Sequence, residues 1–213
     1  MKNSKNICLL LLLLVIICSP FNAVFAQELE TKIDTLITKE FKDKDGPGGA
    51  FLVAKNGKPI YQKAFGKANL ELDIELTPEF VFQLGSITKQ FTAVAILMLE
   101  EQGKLKTNDS ISKYIPDYPS GEKITIHHLL THTSGIKDFT KMKNLQEIAQ
   151  KEMTPKMMSD FFKNEPAVSA PGEKFEYNNP GYVLLGYIIE LVSGENYENF
   201  IKKRIFDKSG MNR

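Results

Sequence analysis

From Phe91 to Leu99 every residue is apolar or small except Thr92, and this stretch follows directly on Ser86-Ile87-Thr88-Lys89-Gln90. A helix with apolar residues all round it is a buried helix, so this element is expected to run through the middle of a domain. Gly103 marks its end, and only the first turn is polar. A lysine at position 89 is therefore an odd choice for a merely solvated side chain.

The flanking segments read as further helices and strands. Leu29, Ile33, Leu36, Ile37 and Phe41 recur at helical spacing, and Gly46-Pro47-Gly48-Gly49 stops that helix. Two strands, 50–54 and 60–65, flank Lys55-Asn56-Gly57-Lys58, where Asn-Gly suits the positive φ values of a tight hairpin turn. Loops rich in Pro, Asp and Ser cover 106–123. Short helices are expected over 126–131 and 153–164, an apolar helix over 182–192 ending at Ser193-Gly194, and a last one over 197–206. The order is two strands, then helices and long loops.

Residues 2–26 begin with Lys2 and Lys5, run apolar from Ile7 to Ile17 and end in Val24-Phe25-Ala26, the pattern of a cleaved secretory signal peptide. The apolar run is shorter than the roughly 20 residues of a membrane-spanning helix. An uncleaved anchor, or a lipid on Cys18, is the rival reading and would leave the protein membrane-associated. Export to a periplasm or the medium is the expectation, with 27–213 as one domain. Both cysteines, Cys8 and Cys18, lie in the leader, so the mature chain has no thiol for a disulfide, a metal or a nucleophile. Without the leader the chain carries 25 basic and 26 acidic residues, a balance that gives nucleic acid no electrostatic footprint.

Ser86 and Lys89 are three apart at a helix start, so their side chains share a face. A serine hydroxyl needs a neighbour to take its proton, and a lysine amine can do so only if burial and the helix's positive end push its pKa down from about 10.4. Ser-x-x-Lys also occurs by chance, and a serine opening a helix commonly just caps it. His128 and His132 are four apart, as two metal ligands on one helical face would be, but no third ligand sits at a supporting spacing. No metal and no cofactor is expected, and His132 is read instead as ordering the loop at Thr133-Ser134-Gly135.

Three stretches resemble the serine β-lactamase and penicillin-binding-protein superfamily, of the class C β-lactamase, D,D-carboxypeptidase and esterase type. Phe82-Gln83-Leu84-Gly85-Ser86-Ile87-Thr88-Lys89 is similar to its Ser-x-x-Lys block. Leu129-Leu130-Thr131-His132-Thr133-Ser134-Gly135 is similar to its His-Thr-Ser-Gly block, and Phe175-Glu176-Tyr177-Asn178-Asn179-Pro180-Gly181 to its Tyr-x-Asn block. The resemblance implies an α+β fold of two subdomains: an antiparallel sheet flanked by helices, and a mostly helical part. It also implies an acyl-enzyme on Ser86, whose own N–H forms half of an oxyanion hole. Lys89 and Tyr177 would relay the proton, with the formal base open between them, and Asn179 would hold substrate and Lys89. The substrate would be a small molecule or peptide: a peptide, ester or β-lactam. A catalytically inactive envelope-binding domain of the same fold is the alternative, and the oligomeric state is not legible.

The family's Lys-Thr-Gly or His-x-Gly triplet, carried on an edge strand with the second oxyanion donor, does not occur in the 213 residues. The chain is accordingly expected to be an N-terminal part of the domain, with the C-terminal strands missing.

Overall fold

The computed structural model describes residues 27–143, 145–148 and 150–211. The expected signal peptide, 1–26, lies outside the described residues, as does Arg213. The chain divides into two compact units, one ending at Phe82 and the other starting at Gln83.

The first unit opens with helix α1, 27–40. Strand β1 (Gly49–Lys55) pairs antiparallel with β2 (Lys58–Phe65) as a two-stranded sheet. Asn56 (φ 52°) and Gly57 (φ 73°) supply the two positive φ values the hairpin turn needs. Phe41, just past α1, meets Phe51 edge-on at 5.4 Å, and Phe51 meets Phe65 at 5.9 Å. Asp34 of α1 accepts from Tyr61 Oη at 2.6 Å and from Lys63 Nζ at 2.8 Å, which ties the helix to β2. Burial and, after it, that carboxylate push the Tyr61 phenol up to about 12. A second small pair, β3 (Lys67–Asn69) and β4 (Ile74–Glu75), follows. Lys67, buried in the unit, is bonded by Asp73 and Glu75.

In the second unit, α2 (Thr88–Glu101) packs on α6 (Asn179–Ser193), which also contacts α3 (Ile126–Leu130), α5 (Pro155–Phe162) and α7 (Tyr197–Ile201). A short α4 (Leu145–Ile148), not foreseen from the sequence, precedes α5. Ile96, Leu99, Ile126, Leu129, Leu184, Leu185, Ile188 and Ile189 are fully buried. Each such side chain contributes about 1.5–3 kcal/mol. The expectation of a helix 91–99 buried on every side is corrected: Thr92, Ala95, Ile96 and Leu99 are buried, but Val94 and Leu97 are 45% and 51% exposed. Within this unit α2 has partners on one face, and it is α6, more apolar still, that holds the centre.

Helix α6 starts earlier than its apolar periodicity suggests. Asn178 caps it by accepting the Gly181 N–H at 2.8 Å, Pro180 occupies its first turn, and Gly194 ends it at φ 73°. The Asn178 amide also donates to the Ile136 carbonyl. After α7, the segment Lys202–Phe206 is a π-helical turn leading to α8 (Asp207–Ser209), and it sets Phe206 edge-on to Phe91 at 5.2 Å.

Asn178 is 3% exposed, so its replacement strands buried partners as well as a helix cap. Asn178→Ala is expected to cost about 2–4 kcal/mol in urea unfolding. Thr154→Ala, which removes only the exposed cap of α5, should cost about 1 kcal/mol. Equal costs would contradict the double role of Asn178.

Candidate active site

Gly85, at φ 53°, turns the chain into a single tight 3-10 turn, Gly85–Ile87, which runs straight on into α2. Neither turn nor helix has a side-chain cap, so Ser86 does not spend its hydroxyl as one. Its backbone N–H lies at the start of the turn, where helical N–H groups have no intrahelical acceptor. Lys89 stands one turn on.

Tyr177 arrives from the loop before α6 and donates its phenolic O–H to Ser86 Oγ at 2.7 Å. Lys89 Nζ lies 3.3 Å from the same oxygen and donates to Asn179 Oδ1 at 2.8 Å. The four residues singled out in the sequence thus form one hydrogen-bonded chain, joining Tyr177 and Asn179 to Ser86 and Lys89 across separations of 91 and 90 positions. The ammonium also faces the rings of Tyr177, at 4.9 Å to its centre, and Tyr182, at 5.6 Å. Aromatic faces and an amide oxygen are groups that attract a cation. Hydrogen bonding from Lys89 beside it, together with the bond to Ser86, holds the Tyr177 phenol below the usual tyrosine range.

Two further residues belong to the cluster and were not singled out for it. Asp138, buried, accepts from the Thr140 N–H and hydroxyl on Oδ1, each at 2.9 Å, and from Asn179 Nδ2 on Oδ2 at 3.1 Å. The carboxylate accepts only, so it fixes which end of the Asn179 amide is oxygen and turns that oxygen to Lys89. Tyr182, on α6, donates to the Leu130 carbonyl at 3.1 Å. No spacing marks Asp138, which reaches Asn179 across 41 positions; its place just after the His-Thr-Ser-Gly block was the one signal available.

The histidines take structural positions. His128 Nδ1 accepts the Thr125 N–H while Thr125 Oγ1 accepts that of His128, a reciprocal cap on α3. His132 Nδ1 accepts the Asn178 N–H at 3.1 Å. Among the described residues no group of three or more His, Cys, Asp or Glu is placed to hold a metal ion. A cavity of about 510 Å³ adjoins the cluster, with Lys89 and Asn179 at one side and Phe139, Met153, Met158 and Val183 among its walls.

This fold and this cluster define a serine-centred site of the β-lactamase kind. The beta-lactamase family pattern matches residues 31–213, and the chain belongs to that family. PbpX of Bacillus subtilis (strain 168), a protein named for penicillin binding, is 38% identical over 166 residues, which cover 78% of this chain and 40% of PbpX. The octameric penicillin-binding protein homologue from Pyrococcus abyssi superposes with a TM-score of 0.74 at 40% identity, over 86% of this chain and 43% of that one. D-amino acid amidase from Ochrobactrum anthropi SV3, complexed with D-phenylalanine, superposes with a TM-score of 0.70 at 30% identity, over 78% of this chain and 45% of the amidase. The chain spans about 40% of the length of the curated relatives it matches. The α+β fold expected from the three motifs is the fold of these relatives.

Asp138→Asn keeps the shape of the side chain but turns one acceptor into a donor, which then faces either Thr140 or the Asn179 amide. An N–H opposed to an N–H should lower stability by about 1–3 kcal/mol in urea unfolding. An unchanged midpoint would show that Asp138 does not fix the Asn179 amide.

Proposed function

We propose that the protein is an exported serine acyl hydrolase that works through an acyl-enzyme on Ser86. One observation carries the reading: Ser86 Oγ is met by both a phenol and an ammonium while serving no helix cap. In the arrangement described, Ser86 Oγ accepts from both neighbours, so one of them must lose a proton before it can receive that of the serine. Tyr177 suits that task. Lys89 beside it and the bond to Ser86 hold its phenol below the usual tyrosine range.

The Tyr177 phenolate takes the Ser86 proton as Oγ bonds to the carbonyl carbon of the substrate, and the carbonyl oxygen becomes an oxyanion facing the Ser86 N–H. The tetrahedral species collapses, the bond to the leaving group breaks, and Tyr177 returns the proton to that group. Water, deprotonated by the same phenolate, then attacks the carbonyl carbon of the Ser86 ester; the bond from that carbon to Oγ breaks, Tyr177 returns the proton to Oγ, and the acid is released. Asn179, held by Asp138, keeps Lys89 beside the phenolate. The substrate class is a peptide, ester or β-lactam carbonyl, a range consistent with relatives named for penicillin binding and for D-amino acid amide hydrolysis. Export rests on the leader-like residues 1–26.

The test is covalent labelling of the folded full-length protein by a fluorophosphonate, read by intact mass. One adduct is expected on the wild type and none on Ser86→Ala. Tyr177→Phe and Lys89→Met should each slow labelling by about 10²–10⁴. Folded wild-type protein that acquires no adduct would sink the proposal and favour a non-catalytic binding domain.

A further inference from the structure

We infer that His132 is the positioning residue for Tyr177, and that it does this only as a neutral imidazole with its proton on Nε2. The inference rests on the proposed role of Tyr177. Four contacts carry it. The His132 carbonyl accepts the Glu176 N–H at 2.9 Å, and its Nδ1 accepts the Asn178 N–H at 3.1 Å. The residues on either side of Tyr177 are thus both fastened to His132. The Tyr177 ring then lies on the imidazole, with centres 4.6 Å apart and planes at 34°, and Tyr182 covers it at 5.0 Å and 31°.

The backbone at this position is itself unusual. His132 sits at φ 58°, in the left-handed region that only a few per cent of non-glycine residues occupy, Asn, Asp and His most readily among them. That conformation puts the carbonyl and Nδ1 of one residue in reach of two N–H groups of another loop. His132 does not touch Ser86; its task is to hold Tyr177 so that the phenol oxygen does.

The protonation state is set by the bond to Asn178. A ring nitrogen that accepts an N–H cannot carry a proton. Protonating Nδ1 sets two donors against each other and adds a second cation close to Lys89. The ionisable groups around the ring are Tyr177 from the preceding loop and Tyr182 from α6, whose rings lie against it, and Lys89 of α2, which sits over those two tyrosine rings. Glu176 is turned to Lys141 and Lys174 and does not compensate. Burial and the Lys89 charge both hold the imidazole below its usual 6.5. Because the folded value is the lower one, the contribution of this clamp is complete above about 6.5 and is lost as pH falls toward the folded value.

Asparagine separates the clamp from its titration. Its Oδ1 occupies the place of Nδ1, it accepts the same N–H, it tolerates the left-handed region, and it does not ionise. The logarithm of the Ser86 labelling rate in the wild type is expected to fall with a slope near one through mild pH, as the phenolate is lost, and with a slope near two below the His132 pKa. His132→Asn should keep a slope of one throughout and, at about pH 8, label roughly tenfold faster than His132→Ala. Retention of the steep limb in His132→Asn, or equal rates for Asn and Ala, would overturn the inference. Nitrogen NMR of the wild-type imidazole provides a reading that needs no activity. A proton on Nε2 at neutral pH supports the inference, and one on Nδ1 refutes it. Wild-type protein that never labels would fail the hydrolase reading instead, leaving the tautomer to decide the clamp.

Discussion

The site depends on the meeting of two helix starts. Ser86 precedes the first turn of α2 and Tyr177 precedes the cap of α6, so the packing of those helices brings together residues 91 positions apart in sequence. The Lys89–Asn179 bond is the polar stitch at that junction, and Ile96, Leu184, Leu185 and Ile188 supply the burial behind it. Both helices present their positive ends to the same small volume. A serine oxyanion, a phenolate or a tetrahedral oxygen is favoured there before any substrate arrives.

How far the sequence revealed this varies with distance along the chain. The Ser86–Lys89 pairing is a local matter of three residues on a helix, and spacing alone placed it. The hairpin is equally local: Asn56-Gly57 fixes two positive φ values, and the strands on either side must run antiparallel. Tyr177 is different in kind. Nothing about a tyrosine before a helix cap says that it reaches residue 86, and only the resemblance of three ordered motifs supplied the connection.

What stayed hidden is the support around those residues. Asp138 acts by orienting an amide, and His132 by holding the two neighbours of a tyrosine; both effects exist only once four separate segments are packed. The burial of α2 was overestimated for a related reason. Composition reports that a helix can be buried on every side, whereas Val94 and Leu97 lie exposed because α6 and α7 meet α2 on the opposite face.

The π-helical turn at Lys202–Phe206 has a bearing on how this last helical segment could have arisen. A π turn takes in one residue more than an α turn over about the same rotation, so the surplus residue is absorbed within it and the residues beyond keep their angle about the axis. Phe206 therefore stays edge-on to Phe91, and the end of the segment keeps its grip on α2. The wide turn takes up slack: it lets the segment carry an extra residue without turning its apolar side away from its neighbour.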